Sequence, residues 1–167
     1  MAEDNIKSVK LLSKGKRDYG SNYEEHLFEQ YKMYVEGMEK TSDRRQNANN
    51  YFVTINAALV SLLGIILSTN YFENKKLLGL ALSILGLLIS IVFWFLIRAY
   101  KQLNTGKFTV IHEIEKQLPL ALYAHEWDVL GKGEDPKEYF PFSHIELLIP
   151  IILGIGYLVL AYIFYCK

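Results

Sequence analysis

The sequence has very little cysteine and no surplus of either charge, and each shortage excludes a class of protein. Cys166 is the only cysteine among the 167 residues, so an internal disulfide and a thiolate metal cluster are both excluded. Lys and Arg number 18, as do Asp and Glu, which leaves no basic excess of the kind that coats nucleic acid. The first 50 residues lack the apolar run of a signal peptide, and we therefore expect none.

Charged side chains are missing from one long stretch, although they are frequent elsewhere. Residues 77–97 carry no Lys, Arg, Asp or Glu, whereas residues 1–50 carry nine basic and nine acidic side chains. A chain sorted in this way lies in two solvents, one of which is a lipid bilayer. We therefore predict an integral membrane protein.

Three apolar stretches are long enough to cross a membrane, namely residues 51–69, 77–97 and 147–165. About 20 apolar residues, at a rise of about 1.5 Å each, cross a hydrocarbon core roughly 30 Å thick. Three such stretches in 167 residues leave too little polar surface for a soluble domain. We predict an all-α fold with three transmembrane helices, the first two of which form a tight hairpin around residues 70–76.

The orientation follows from Lys and Arg near the ends of the spans, because these residues favour the cytosolic side. Eight of them lie on one side: Lys40, Arg44, Arg45, Arg98, Lys101, Lys107, Lys132 and Lys137. Three lie on the other side: Lys75, Lys76 and Lys167. We therefore expect the N-terminus and the 98–146 segment to be cytosolic and the C-terminus to be outside.

The segments outside the spans are predicted to be mainly helical. Over residues 22–50, apolar side chains recur at spacings of three and four, interrupted only by Thr41 and Arg45, as in an amphipathic helix: Leu27, Tyr31, Tyr34, Met38 and Ala48. No Gly or Pro occurs over residues 38–63, so this helix and span one are compatible with a single rod. A second helix is expected beyond span two, with a candidate core of Phe108, Ile111, Ile114 and Leu118.

The predicted organisation therefore has five parts. Residues 1–20 form a flexible N-terminal segment, residues 21–50 a cytosolic amphipathic helix, and residues 51–97 the transmembrane hairpin. Residues 98–146 form a cytosolic helix and loop, and residues 147–165 the third transmembrane helix.

Span one contains a row of small polar residues that recur every seven positions and so stack on one helix face: Asn47, Thr54, Ser61 and Ser68. A parallel row consists of Asn50, Ala57 and Gly64. One interpretation is helix packing, since small side chains let backbones approach closely. The other is the water-lined wall of a pore repeated around a ring of subunits, with the first row as the pore lining. Asn56 lies about 160° from Thr54 around the helix and is expected to face a neighbouring helix.

Span two has a comparable row without an accompanying amide or charge: Gly79, Ser83, Gly86 and Ser90. For this row, packing is the favoured interpretation.

A dense polar collar precedes span one, where Gln46 and Asn47 lie among the four residues that are the candidate ligand-binding set: Arg44, Arg45, Asn49 and Asn50. Long basic side chains anchor helices at membrane interfaces, which is one interpretation. Repeated around a ring of subunits, the same donors would form an anion-binding annulus, which is the other. The sequence supports both equally. Glu146, near the start of the third span, is expected to cap that helix.

No residues follow a recognisable catalytic or metal-binding pattern. His112 with Glu113 and Glu115, and His125 with Glu126, lack the i, i+4 histidine pair of a zinc helix, so we expect surface polar side chains at these positions. We therefore predict a protein that is not an enzyme and that uses no metal or cofactor.

Three separated phrases carry a resemblance to a known family. Within residues 22–152 they are, in order, YKMYVEGMEKTSDRRQNANNYFVTINAALVSLLG, RAYKQLNTGKFTVIHEIEKQLPLALYAHEW and PFSHIELLIP. They resemble the RipA family of octameric bacterial inner-membrane proteins. More distantly, the arrangement is similar to SLATT-type membrane effectors. It is also similar to the membrane protein of the Hailong antiphage system, a channel held shut by DNA oligomers that a partner nucleotidyltransferase makes.

Together these resemblances imply a homo-oligomer in the bacterial inner membrane, and those to SLATT-type effectors and the Hailong protein imply a pore that kills or stalls an infected cell. We therefore expect a channel or pore-forming effector in antiphage defence, gated by a cytosolic nucleotide or DNA-oligomer signal. The implied partners are further copies of the chain, the lipid bilayer, and a nucleotidyltransferase or its nucleotide or single-stranded DNA product. The competing expectation is a non-conducting membrane scaffold or adaptor ring.

Overall fold

The computed structural model describes residues 11–69, 73–134, 139 and 142–166, which contain helices and no strand. The elements are α1 (Lys16–Tyr19), α2 (Tyr23–Ser68), α3 (Lys75–Glu115), α4 (Leu122–Val129), a 3-10 turn (Gly131–Gly133) and α5 (Phe142–Cys166). The all-α prediction is therefore confirmed. Part of the predicted hairpin turn and of the loop before the third span lies outside the described residues.

Helix α2 is a continuous helix of 46 residues that joins the predicted amphipathic helix to span one. At 1.5 Å per residue it is about 69 Å long, more than twice the thickness of a hydrocarbon core. The absence of Gly and Pro over residues 38–63 explains this continuity, because these residues are the poorest helix formers. The predicted boundary at residue 50 therefore lies inside a helix.

Three helices are long and apolar enough to cross a membrane: Tyr23–Ser68, Lys75–Glu115 and Ile145–Cys166. The prediction of three transmembrane helices is confirmed. The first two spans cross the membrane in opposite directions. The polar N-terminal part of α2 and the polar C-terminal part of α3 therefore lie on the same side of the membrane. We call this region, residues 11–50, 98–134 and 139, the polar half.

In the membrane, α3 packs against both α2 and α5. Phe164 of α5 lies against Gly79 and Tyr157 lies against Gly86, and a methyl group at either glycine would overlap the ring. The packing interpretation of the span-two row is confirmed, since all four of its members are buried: Gly79, Ser83, Gly86 and Ser90.

In the polar half, the predicted stripe of α2 faces the C-terminal part of α3. Met38 is buried, and the other apolar members are partly buried: Leu27, Tyr31, Tyr34 and Ala48. The two polar interruptions of the stripe also face inward. Thr41 is buried and its hydroxyl donates to the Gly37 carbonyl at 2.9 Å, and Arg45 is partly buried. The face of this helix was therefore predicted correctly from its apolar residues, whereas the inward positions of Thr41 and Arg45 were not predicted.

The candidate core of α3 is confirmed in part. Ile111 and Ile114 are buried, whereas Phe108 is 38% exposed and borders a cleft. Phe108 was therefore wrongly predicted as a core residue, because an apolar side chain on a helix face is equally suited to lining a cavity.

Glu115 is buried, and the expectation of a surface side chain at this position is wrong. Its carboxylate accepts hydrogen bonds from the backbone N–H groups of Tyr123 (2.9 Å) and Ala124 (3.0 Å) in the first turn of α4. It also accepts one from the Tyr31 hydroxyl at 3.0 Å. Burial and this bond to Glu115 raise the pKa of Tyr31 to about 12. Glu115 thus holds α4 against α2 and α3.

The predicted flexible segment, residues 1–20, lies half outside the described residues. Within the described half, α1 is tied to the start of α2, because Lys16 forms an ion pair with Glu24. In addition, the Tyr19 hydroxyl lies 2.8 Å from His26 Nδ1.

Candidate functional site

The small polar row of span one lies on the surface of the subunit. Its four members are all exposed, and no other described helix of the chain covers them: Asn47, Thr54, Ser61 and Ser68. The hydroxyls of Thr54 and Ser61 donate to the carbonyls of Asn50 and Ala57, both at 2.8 Å. The row therefore forms no packing contact within its own subunit.

The parallel row is exposed as well. Asn50 and Ala57 are exposed, and a methyl group at Gly64 would meet nothing within 4 Å. We call the two rows together, residues 47, 50, 54, 57, 61, 64 and 68, the α2 strip. The strip lies opposite the face through which α2 packs on the rest of the subunit, which includes Asn56 and Leu63. It is therefore available to a second copy of the chain or to water in a lumen.

Asn56 lies at the centre of the three spans and is fully buried. Its amide Nδ2 donates to the Phe52 carbonyl at 2.7 Å, and its Oδ1 accepts from the Tyr157 hydroxyl at 2.9 Å. The Ser90 hydroxyl lies 3.5 Å from the same oxygen. One residue from each of α2, α3 and α5 thus meets here. The prediction that Asn56 faces a neighbouring helix is confirmed, and the neighbouring helices belong to the same subunit.

The collar is divided between two surroundings. Arg44 and Asn50 are exposed, whereas Arg45 and Asn49 face the start of α5. Asn49 Nδ2 donates to Glu146 Oε1 at 2.8 Å, and Arg45 Nη1 lies 3.5 Å from Glu146 Oε2. Glu146 is 4% exposed, and these two residues of α2 are the partners of its carboxylate among the described residues. Half of the collar therefore connects α2 to α5 at the edge of the membrane.

A cleft of about 750 Å³ opens in the polar half between α2, α3, α4 and the segment that follows α4. Arg45, Lys101 and Lys132 bring positive charge to its wall, and Glu126 brings one carboxylate. Aromatic rings form much of the remaining wall: Phe108, Tyr123, Trp127 and Tyr139. Burial, and then the nearby Glu39 and Glu126 carboxylates, raises the pKa of the Tyr123 phenol.

The sequence held a signal for this cleft that the prediction did not use. Lys101, Asn104, Phe108 and His112 recur at spacings of three and four along α3, as the residues of one helix face do. Trp127 and Tyr139 come from segments without a pattern that would place them nearby. In the described residues, no group of three or more His, Cys, Asp or Glu side chains is placed to hold a metal ion.

The profile of one protein family matches most of this chain. It is the octameric membrane protein family, 8xMP, and the match covers residues 28–166. The chain belongs to this family. No curated protein and no solved structure matches the chain.

Membership of the 8xMP family accounts for the exposed apolar surface of the subunit. The match includes all three spans, both sides of the cleft and the α2 strip. The prediction of a membrane homo-oligomer is confirmed by this family and by the three apolar helices. Side chains of the spans that are exposed in one subunit therefore face lipid, a neighbouring copy or water in a lumen, and the α2 strip is the most polar of these surfaces.

Proposed function

We propose that copies of this 8xMP protein form a ring in which the α2 strip lines a central pore, so that the protein is an ion channel and not an enzyme. The observation that carries this proposal is the exposure of Thr54, Ser61 and Ser68 on a membrane-spanning face opposite the buried face of α2. Small hydroxyl side chains leave room for a lumen and offer oxygen atoms that hydrogen-bond to water. Lipid tails form no such hydrogen bonds, so a surface that faces lipid gains nothing from hydroxyl groups.

The proposed physiological role is that of a pore-forming effector in bacterial antiphage defence, gated by a nucleotide or DNA-oligomer signal. It rests on the resemblance to SLATT-type and Hailong membrane proteins. In this proposal the protein lies in the bacterial inner membrane, with the polar half in the cytosol and the C-terminus outside, because eight basic residues flank the spans on one side and three on the other. The exposed Arg44 and Asn50, repeated around a ring, supply positive charge and donors at the cytosolic mouth.

Ion flux through purified protein in liposomes tests the channel directly. Leucine at both Thr54 and Ser61 should dry the lumen and abolish the flux, and the toxicity of the expressed protein with it, while the oligomer stays intact. Val92→Leu is the control for added bulk, since Val92 is 57% exposed on α3. Thr54→Ser is the control for the hydroxyl. Both controls should conduct. An intact ring that carries both leucines and still conducts and kills would refute a pore lined by α2.

The second candidate function is a non-conducting scaffold or adaptor ring. It is favoured by the hydrogen bonds that the Thr54 and Ser61 hydroxyls donate to backbone carbonyls of their own helix. Hydroxyl groups paired in this way do not require water as a hydrogen-bond partner. The α2 strip would then be an interface between copies. In that case Thr54→Leu and Ser61→Leu should break the oligomer, and the unmodified protein should show no flux.

A further inference from the structure

Three side chains that line the cleft in the polar half each carry a buried polar atom without a hydrogen-bond partner among the described residues. These atoms are Arg45 Nε, Asn104 Oδ1 and His112 Nε2. Buried polar groups in folded proteins are almost always paired, with protein, water or a ligand. The three side chains come from two helices, α2 and α3, and all line one cavity, so a molecule bound there would reach these atoms after side-chain rotation.

The cations that line the cleft suit a small anion. Lys101 forms no ion pair with the described residues, and Arg45 holds Glu146 through Nη1 alone, at 3.5 Å. Lys132 pairs with Asp128 at 3.4 Å and Glu126 also lines the cleft, so together with Glu146 three carboxylates oppose the three cations. The whole set is therefore neutral, and net positive charge appears at Lys101 and Arg45 only when an anion displaces Glu146, which suits one phosphate or carboxylate group and not a long polyanion.

The aromatic wall favours a flat molecule. The Phe108 ring lies 6.0 Å from the ring of Tyr123 and 6.3 Å from that of His112, centre to centre. Phe108 and Trp127 are 38% and 40% exposed, so each ring keeps free surface beside the cleft. Stacking on such rings is favourable for any planar heteroaromatic group, and the Asn104 amide and Glu126 carboxylate supply hydrogen-bonding atoms for its edge.

We infer that the cleft binds a small anion with a flat heteroaromatic ring, of the mononucleotide class, and that its anionic group competes with Glu146 for Arg45. Lys101 and Arg45 contact the anionic group, and Phe108 and Trp127 contact the ring. Release of Glu146 loosens the connection between α2 and α5 at the edge of the membrane, where Asn49 is its remaining partner. This consequence for gating rests on the proposed channel function, whereas the binding does not.

Binding is tested by calorimetry on the oligomer in lipid nanodiscs, with adenosine 5′-monophosphate, adenosine and inorganic phosphate as three separate probes. The monophosphate should bind saturably, and adenosine and phosphate should each bind at least about tenfold more weakly, since each offers only part of the contacts. Lys101→Ala and Trp127→Ala should each weaken the monophosphate at least about fivefold. The control variants are Lys116→Ala and Leu122→Ala, which are exposed and lie outside the cleft. They should bind as the unmodified protein does.

The competition has its own test in Glu146→Gln, which keeps the shape of the side chain and an oxygen for Asn49 but removes the charge. The monophosphate should then bind about tenfold more tightly, a gain of about 1.4 kcal/mol. A merely structural role of Glu146 predicts unchanged or weaker binding, and that result would overturn the competition. The site itself would be overturned if the folded oligomer bound none of the probes. It would also be overturned if neither Lys101→Ala nor Trp127→Ala changed the affinity for the monophosphate. Absence of ion flux with binding intact would refute the channel and leave the site standing.

Discussion

Two glycines of the spanning helices provide a sharp test of the subunit packing, because the structure assigns opposite consequences to the same substitution. A methyl group at Gly86 would overlap the Tyr157 ring, whereas one at Gly64 would meet nothing within 4 Å. Gly86→Ala should therefore destabilise the subunit, and Gly64→Ala is its matched control.

The magnitude follows from three contributions. Overpacking of a filled site costs about 1–3 kcal/mol. Displacement of Tyr157 also breaks the 2.9 Å bond from its hydroxyl to Asn56, which is worth about 0.6 kcal/mol in a membrane. Alanine in place of glycine gains about 0.5–1 kcal/mol in a helix interior. The net loss at Gly86 is therefore roughly 0.6–3 kcal/mol, whereas Gly64→Ala should leave the stability of the subunit unchanged or slightly higher.

The assay is unfolding of the purified protein by SDS titration in mild-detergent micelles at fixed protein concentration, with the oligomer mass measured in parallel. Equal stability of the Gly86→Ala variant and the unmodified protein would refute the packing of α3 on α5. The mass measurement adds information about the α2 strip. If copies pack closely through it, Gly64→Ala should reduce assembly although the subunit fold is intact, and if the strip faces water the oligomer should persist.

Three further predictions follow from the same structure. Tyr157→Phe and Asn56→Leu should each lower the stability of the subunit, the first by about 0.6 kcal/mol, and a double-mutant cycle should show coupling between them; additive losses would contradict the bond. With Cys166 replaced by Ser, cysteine at Asn74 should react with an impermeant thiol reagent in intact cells and cysteine at Gly133 only after the membrane is opened, and the reverse pattern would invert the proposed orientation. Because the pKa of Tyr31 in the folded protein is about 12 and its ordinary value is 10, its stabilising contribution is complete below pH 10 and is lost as the pH rises through 12. The midpoint of SDS unfolding should therefore fall less over this range in Tyr31→Phe, and equal falls would refute the Tyr31–Glu115 bond.

The membrane part of the fold could be predicted from the sequence because the bilayer imposes a strong and simple pattern. The charge-free stretch at residues 77–97 and the small residues within it indicated both the span and its packing face. The amphipathic face of α2 could be predicted from the spacing of its apolar residues, although the inward positions of Thr41 and Arg45 were not predicted. The sequence permitted a continuous α2 but did not require it, because the absence of a helix breaker allows one long helix without enforcing it.

The candidate sites were less predictable because they depend on distant parts of the chain. Nothing local to Glu115 indicates that its carboxylate would accept hydrogen bonds from the first turn of α4, and its neighbours in sequence suggested a surface position. Likewise, Arg45 belongs to the collar in sequence but contacts Glu146, about 100 residues later, in the structure. The role of such a residue depends on which helices become neighbours in the tertiary fold. The order of residues in one sequence does not reveal these neighbours.

The continuity of α2 is what links the two proposals mechanically. Arg45, which borders the cleft and holds Glu146, lies nine residues before Thr54 on the same helix, about 13.5 Å along its axis. Nine residues correspond to two and a half turns, so Arg45 and Thr54 lie on opposite sides of α2. A helix without an internal breaker rotates or tilts as a unit, and a displacement of α2 on the side of Glu146 is therefore transmitted to the α2 strip. Insertion of one residue between them, at position 50, would turn Arg45 by about 100° relative to Thr54 and should uncouple ligand binding from flux even where each persists separately. Retention of full coupling in a folded, ligand-binding insertion variant would refute α2 as the transmitting element.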